Sequence, residues 1–191
     1  MNTNQKKKFI LVALNEGYSL DEISDFLSSQ KQSELQPAPL ANEPMDIRYT
    51  SAGNILSQEG QITQAFGNYN PALYRGINKS MINTGVDIGV PTGTDVTLPS
   101  GEWEVEESGS GWNRGYGNSV LVRNVKTNEK LRFSHLSRVA PLRKGQKLSG
   151  GMTFAQTGAT GYATGPHLDL EYYDQLNRIQ NFLKSSYARN L

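Results

Sequence analysis

From about residue 50 onward the chain breaks into short runs of β-forming residues separated by Gly, Asn and Pro clusters, and this punctuation leaves little room for anything but small antiparallel sheets. The runs fall at residues 95–98, 102–107, 119–125 and 130–135. Between the last two, Lys126-Thr-Asn-Glu129 has the length and the turn residues of a hairpin connection. Nineteen glycines and eight prolines in 191 residues argue against long helices, and an all-helical bundle is disfavoured. The expected fold class is therefore mainly β, an antiparallel sheet domain over residues 50–191.

The first fifty residues differ in texture. Ser19-Leu-Asp-Glu22 is a capping box, with Tyr18 and Ile23 placed as its hydrophobic staple and Gly17 as the stop of an earlier helix. Residues 1–30 are thus expected to hold a short helical hairpin, with residues 6–30 as its helical part. Residues 31–49 carry three prolines and few large apolar groups, so they form a linker. Such a hairpin either docks on a larger protein assembly or packs as a cap on the main domain.

Charge and composition exclude several function classes. With 19 basic and 18 acidic residues, net charge +1, the chain has no field to hold a polyanion, and no nucleic-acid partner is expected. Zero cysteines remove disulfides, thiolate zinc sites and cysteine nucleophiles. No apolar stretch approaches a membrane span. Lys6 to Lys8 precede an apolar run at residues 9–14, but Asn15-Glu16-Gly17 interrupts it too early for a signal peptide.

The two histidines sit in the most suggestive settings, Phe133-Ser-His135-Leu-Ser137 and Thr164-Gly-Pro-His167-Leu-Asp169-Leu-Glu171. On a strand, a period of two puts His167, Asp169 and Glu171 on one face and Leu168, Leu170 and Tyr172 on the other, toward a core. Upstream, Asn83-Thr-Gly-Val-Asp87 places an amide and a carboxylate close together beside a turn.

These motifs, with Ile62-Thr-Gln-Ala-Phe-Gly67, Gly115-Tyr-Gly-Asn-Ser-Val120 and Thr157-Gly158, occur in the order seen in one family. Residues 60–183 resemble the lysostaphin/LytM-type zinc metallopeptidase domain, whose members cut peptide cross-links in bacterial peptidoglycan. The resemblance implies a mainly antiparallel β-sheet domain with a long groove. It also implies zinc ligands at the positions of Asn83, Asp87 and Asp169, where the family carries histidine, aspartate and histidine. Two of the three have changed. His135 and His167 match the family's non-ligand histidines, which act on the attacking water.

An Asn, Asp, Asp set offers no nitrogen donor, whereas catalytic zinc favours imidazole with at most one or two carboxylates. The expectation is therefore a catalytically inactive structural or binding module that needs no cofactor. A hard cation, Ca, Mg or Mn, is the alternative occupant of an all-oxygen set. Zinc enters only in a second reading, a metal-dependent peptidoglycan endopeptidase whose rearranged ligands recruit His167. Trp103, Trp112, Tyr116 and Tyr162 lie in segments that would rim the groove, as stacking surfaces for wall peptide or glycan or as core. Peptidoglycan is the expected ligand of the groove. A wall-directed domain without an export signal suits delivery in a bacteriophage virion, as a tail component anchored through residues 6–30. Otherwise the location is the cytoplasm.

Overall fold

Alternating burial along the strands builds two sheets that stack through one apolar core. The structure is a computed structural model, and it describes residues 48–49, 54–68 and 82–191. All of these belong to one of the chain's two compact units. The hairpin expected over residues 6–30, and the linker as far as residue 47, lie outside the described residues.

The larger sheet runs β2 (Gln61–Gln64), β3 (Val86–Gly89), β11 (His167–Tyr173), β7 (Lys130–Leu136), β6 (Asn118–Asn124), β5 (Glu102–Gly109) and β9 (Lys147–Ser149), with the short β12 (Ile179–Gln180) on the far end of β11. Every pairing in it is antiparallel. The smaller sheet pairs β10 (Met152–Gln156) with β1 (Arg48–Tyr49), β4 (Asp95–Thr97) and β8 (Arg138–Val139). Predicted strands and turn coincide with β4 to β7 to within one or two residues, β5 running two residues further than expected.

Leu168 and Leu170 of β11, Leu131 and Phe133 of β7, and Val120 and Val122 of β6 point to the same side and are fully buried. Phe133 meets Phe154 of β10 edge-on, ring centroids 5.0 Å apart, which joins the two sheets. Trp103 belongs to this core and not to a groove rim. Its strand alternation turns it inward beside Val105, and its indole N–H is satisfied by the Pro99 carbonyl at 2.9 Å.

A β-bulge interrupts β5, where Val105 pairs with Val122 and Glu107 with Leu121, leaving Glu106 as an extra residue. Glu104, Glu106 and Glu107 therefore all reach the face opposite the core. There they meet Arg123, Lys130 and Arg132.

The C-terminal segment is fastened by tyrosine hydroxyls. Glu129, in the β6–β7 turn, accepts from Tyr172 Oη at 2.5 Å, Thr127 Oγ1 at 2.7 Å and Tyr187 Oη at 2.9 Å. Burial pushes the Glu129 carboxyl up, but these three hydrogen bonds outweigh it and hold the group below its usual range. The contribution is thus present above the unfolded carboxylate pKa and lost as pH falls through the lower folded value. Tyr187→Phe is expected to cost about 1 kcal/mol at pH 7, read as a lower urea midpoint at unchanged m-value. The loss should shrink when the titration is repeated at a pH well below 4.5, the ordinary glutamate value.

Candidate functional site

Three neighbouring strands bring the singled-out residues to the face opposite the core. On β11, His167, Asp169 and Glu171 share that face while Leu168, Leu170 and Tyr172 enter the core. Cross-strand register sets Asp169 directly opposite Asp87 of β3 on one side and Ser134 of β7 on the other. One row across the sheet is therefore Asp87, Asp169, Ser134.

Asn83 stands just before β3, its backbone tied to the loop after β2 by Gly67 N to Asn83 O and Asn83 N to Asn68 O, both 2.9 Å. The side chain is buried and its orientation is dictated by its neighbours. Gly85 N–H can only donate, so it takes Asn83 Oδ1 at 3.1 Å, and Nδ2 then faces Asp87 Oδ1 at 3.3 Å and the Gln64 carbonyl at 3.4 Å. Burial pushes the Asp87 carboxyl above its ordinary value, with the charge of His167 and the Asn83 hydrogen bond pulling the other way. Gly85 is itself required here. A Cβ at that position would collide with Asp169 Oδ1, so the carboxylate lies over bare backbone.

Both imidazoles are oriented from behind. His135 Nδ1 contacts the Thr160 carbonyl and His167 Nδ1 the Gly165 carbonyl, each at 2.8 Å. A carbonyl only accepts, so each Nδ1 donates to it and each ring is fixed with Nε2 on its other side. The rings lie 4.6 Å apart between centroids. His135 Nε2 is 4.0 Å from Asp169 Oδ2. His135 has a positive φ of 63°, a conformation held by its N–H bond to Tyr116 O at 2.8 Å as well as by Thr160.

The three aromatic candidates divide. Trp112, 43% exposed, meets the half-buried Tyr162 edge-on at 6.3 Å. Tyr116 instead points into the floor, where its hydroxyl donates to Glu171 Oε1 at 3.4 Å under the Arg132 guanidinium, 4.6 Å from the ring centroid. Burial, then the Glu171 charge, pushes its phenol up to about 12. The two rim loops are stitched by Tyr162 N to Gly115 O at 2.8 Å. Gly161 lies so close to Gly115 and Gly117 that no side chain fits between them.

Beneath the site lies an array that the candidate residues did not include. Glu171, 1% exposed, accepts from Thr84 Oγ1 and Tyr173 Oη, both at 2.7 Å, and faces Arg132 Nε at 3.6 Å. Arg132 in turn donates to Glu107 at 3.0 Å, and Glu107 takes Arg114 at 2.6 Å. The signal for it was the charge at alternate positions of two strands, Lys130 and Arg132 against Asp169 and Glu171. Its pairing needed the register.

With this geometry in hand, the chain can be compared with known proteins. The model of peptidase family M23 matches residues 81–181, which contain Asn83, Asp87, His135, His167 and Asp169. The chain belongs to peptidase family M23. Among curated M23-type relatives, it is 29% identical over 128 residues to the DD-carboxypeptidase/endopeptidase Mpg of Neisseria meningitidis serogroup B, covering 60% of this chain and 28% of that protein. It is 35% identical over 106 residues to the peptidoglycan DD-endopeptidase ShyA of Vibrio cholerae, covering 54% of this chain and 23% of that one. The chain therefore spans less than a third of these relatives' length. Among solved structures, a zinc containing peptidase from Vibrio cholerae superposes with TM-score 0.57 at 26% identity, over 73% of this chain and 41% of that chain. The catalytic domain of lysostaphin from Staphylococcus simulans gives 0.54 at 27%, over 66% and 93%. The fold is that of the LytM/lysostaphin-type domain.

The family's zinc does not fit the residues present. Asn83 Oδ1 is committed to Gly85 N–H, and its outward atom is a donor. Among the described residues no three His, Asp or Glu side chains are grouped to hold a metal ion. Setting a zinc ion between His135 Nε2 and Asp169 Oδ2 as they stand does not mend this, and the geometry leaves the recruitment of His167 open to test. Zinc about 2.0–2.1 Å from atoms 4.0 Å apart would see them at roughly 150°, far from tetrahedral.

Because burial disfavours the Asp87 charge, that carboxylate costs stability at neutral pH: with a folded pKa raised above 3.8, the folded state holds its proton longer than the unfolded one. Asp87→Asn is therefore expected to raise the melting temperature at pH 7 by a few degrees. The gain should disappear below about pH 3.8, the unfolded value.

Proposed function

We propose that this M23 domain is a non-hydrolysing module that keeps the family's groove for contact with peptidoglycan peptide. The observation that carries the reading is the Asn83 amide. Its N–H₂ end supplies Asp87 with a hydrogen-bond donor where a catalytic site needs a metal ligand. Without a bound Lewis acid nothing lowers the pKa of a water toward neutrality or polarises a scissile carbonyl, and two oriented imidazoles do not replace that. The face opposite the core offers such a peptide the Trp112–Tyr162 pair and a row of charged side chains, which supports the reading. The names of the relatives supply the ligand class, since Mpg and ShyA are named as endopeptidases and ShyA's name specifies peptidoglycan.

The test is calorimetric titration of metal-stripped protein with zinc, then manganese and calcium, alongside Asp87→Ala, together with digestion and co-sedimentation assays on purified sacculi. No zinc binding, no released peptide and measurable sedimentation are expected. Tight zinc binding that vanishes in Asp87→Ala, or release of soluble fragments, would establish the competing reading of an endopeptidase with a rearranged ligand set. Tight calcium or manganese binding would assign a hard cation to the same carboxylates.

A further inference from the structure

We propose that the hollow between β5, β6 and the loop at residues 143–146 is a second binding site on the face opposite the core, and that it takes the terminal carboxylate of the bound peptide. The proposal rests on the wall-binding reading above and adds where that peptide ends.

The hollow follows from the bulge in β5. Val105 O accepts from Gly145 N–H at 2.7 Å and Val105 N–H donates to the Gln146 carbonyl at 2.9 Å, so the loop before β9 is pinned to β5 at the residue preceding the extra Glu106. Between this loop and the sheet lies a space of about 590 Å³. Glu104, Glu106, Glu107, Leu121, Arg123 and Lys144 line it. Leu121 stands between Glu107 and Arg132 in one cross-strand row, and Val120 and Val122 on either side of it enter the core. Its side chain therefore gives this charged face an apolar surface inside the hollow.

Charge selects an anion. Each glutamate already has its cation: Glu104 takes Arg123 at 3.3 Å, Glu106 takes Lys130 at 2.8 Å and Arg123 at 3.3 Å, and Glu107 takes Arg114 at 2.6 Å and Arg132 at 3.0 Å. Lys144 is exposed and forms no ion pair among the described residues. The same holds for Arg143 beside it and for Lys147, which stands opposite Glu104 in register. An ammonium entering the hollow would compete with seated cations for every carboxylate. A carboxylate meets Lys144 unengaged, and it meets Arg123 held by two contacts longer than the roughly 2.7–2.9 Å of a strong charge-assisted bond.

Reach fits as well. The hollow and the two imidazoles share one face, and β5 is separated from β11 by β6 and β7. Three strand spacings are roughly 14 Å, which about four or five residues of extended chain cover. A peptide crossing the sheet over His135 and His167 enters the hollow within that length.

The experiment is co-sedimentation of the full chain with sacculi, with acetyl-dialanine as competitor in its L and D forms, each as the free acid and as the amide. The better free acid is expected to displace the chain at about one tenth of the concentration its amide requires. Lys144→Gln should weaken sedimentation about threefold, the size of one exposed ion pair, and cut the preference for the acid to about threefold. Lys126→Gln removes an equally exposed lysine from the β6–β7 turn, so it lowers bulk attraction alike and should keep both the affinity and the preference. Displacement by neither form, equal displacement by acid and amide, or equal losses in Lys144→Gln and Lys126→Gln overturns the carboxylate site while leaving wall binding intact. Failure of the parent to sediment with sacculi in the absence of competitor overturns both.

Discussion

Changing Asn83 and Asp169 to histidine together is expected to give a chain that binds zinc far more tightly than the parent. The two positions are those at which the family resemblance places histidine, and Asp87, the third, is unchanged. Each substitution adds an imidazole nitrogen and removes an obstacle. Asn83→His ends the amide bridge that joins Gly85 N–H to Asp87. Asp169→His removes the carboxylate facing Asp87 across the strand pair. Single variants should gain little, because each leaves only one nitrogen among three positions, so the two changes should be strongly non-additive. With zinc at 100 times its dissociation constant, the double variant should gain about 2.7 kcal/mol of apparent stability while the parent gains none. Calorimetry and a zinc-dependent shift in melting temperature check this. A double variant that folds but shows no zinc dependence would mean that the backbone, and not the ligand types, has left the family geometry. If zinc does bind, His135 and His167 are already oriented beside it, and hydrolysis of sacculi becomes the second readout.

Much of this site was legible in the sequence because strand alternation is a local rule. The pattern from His167 to Tyr172 fixed which side chains share a face, and the turn at residues 126–129 fixed how β6 meets β7. The motif order pointed to the family, and the identities at 83 and 169 depart from the histidines that the resemblance implies there. What was not legible depends on register between distant strands. Glu171 and Arg132 are 39 positions apart, and only the antiparallel pairing of β7 with β11 makes them neighbours. The bulge at Glu106 is one extra residue, invisible without its partner strand, yet it turns three glutamates onto one face. Trp103 shows the converse limit. A tryptophan next to charged residues suits a rim or a core equally well until the parity of its strand is known, and here Val105 and Trp103 share the inward parity. The Asn83 amide lies between these cases: its identity is in the sequence, but its direction comes from the N–H of Gly85.

Arg132→Met is expected to be the most damaging single change to the floor, at about 3–5 kcal/mol. Arg132 has a 7% exposed side chain and stands between Glu171, 1% exposed, and Glu107, with Tyr116 stacked on its guanidinium. Methionine preserves the volume and the apolar stem but leaves Glu171 as a buried charge with hydroxyl donors only, those of Thr84, Tyr116 and Tyr173. Hydrogen bonds from hydroxyls lower the cost of that charge without cancelling it. Adding Glu171→Gln to Arg132→Met should recover a large part of the loss, because the pair is then removed together and no charge is stranded. Urea denaturation of the parent, the two single variants and the double variant at pH 7 measures every corner of this cycle. If Glu171→Gln alone is as damaging as Arg132→Met and the double variant is the sum of the two, the array acts as independent contacts. A double variant close to the parent would show that the ion pair adds little net stability. Its place in the floor would then be to hold Tyr116 and Thr84, and through the Tyr116 carbonyl the strained backbone of His135, in the geometry that the groove presents to its ligand.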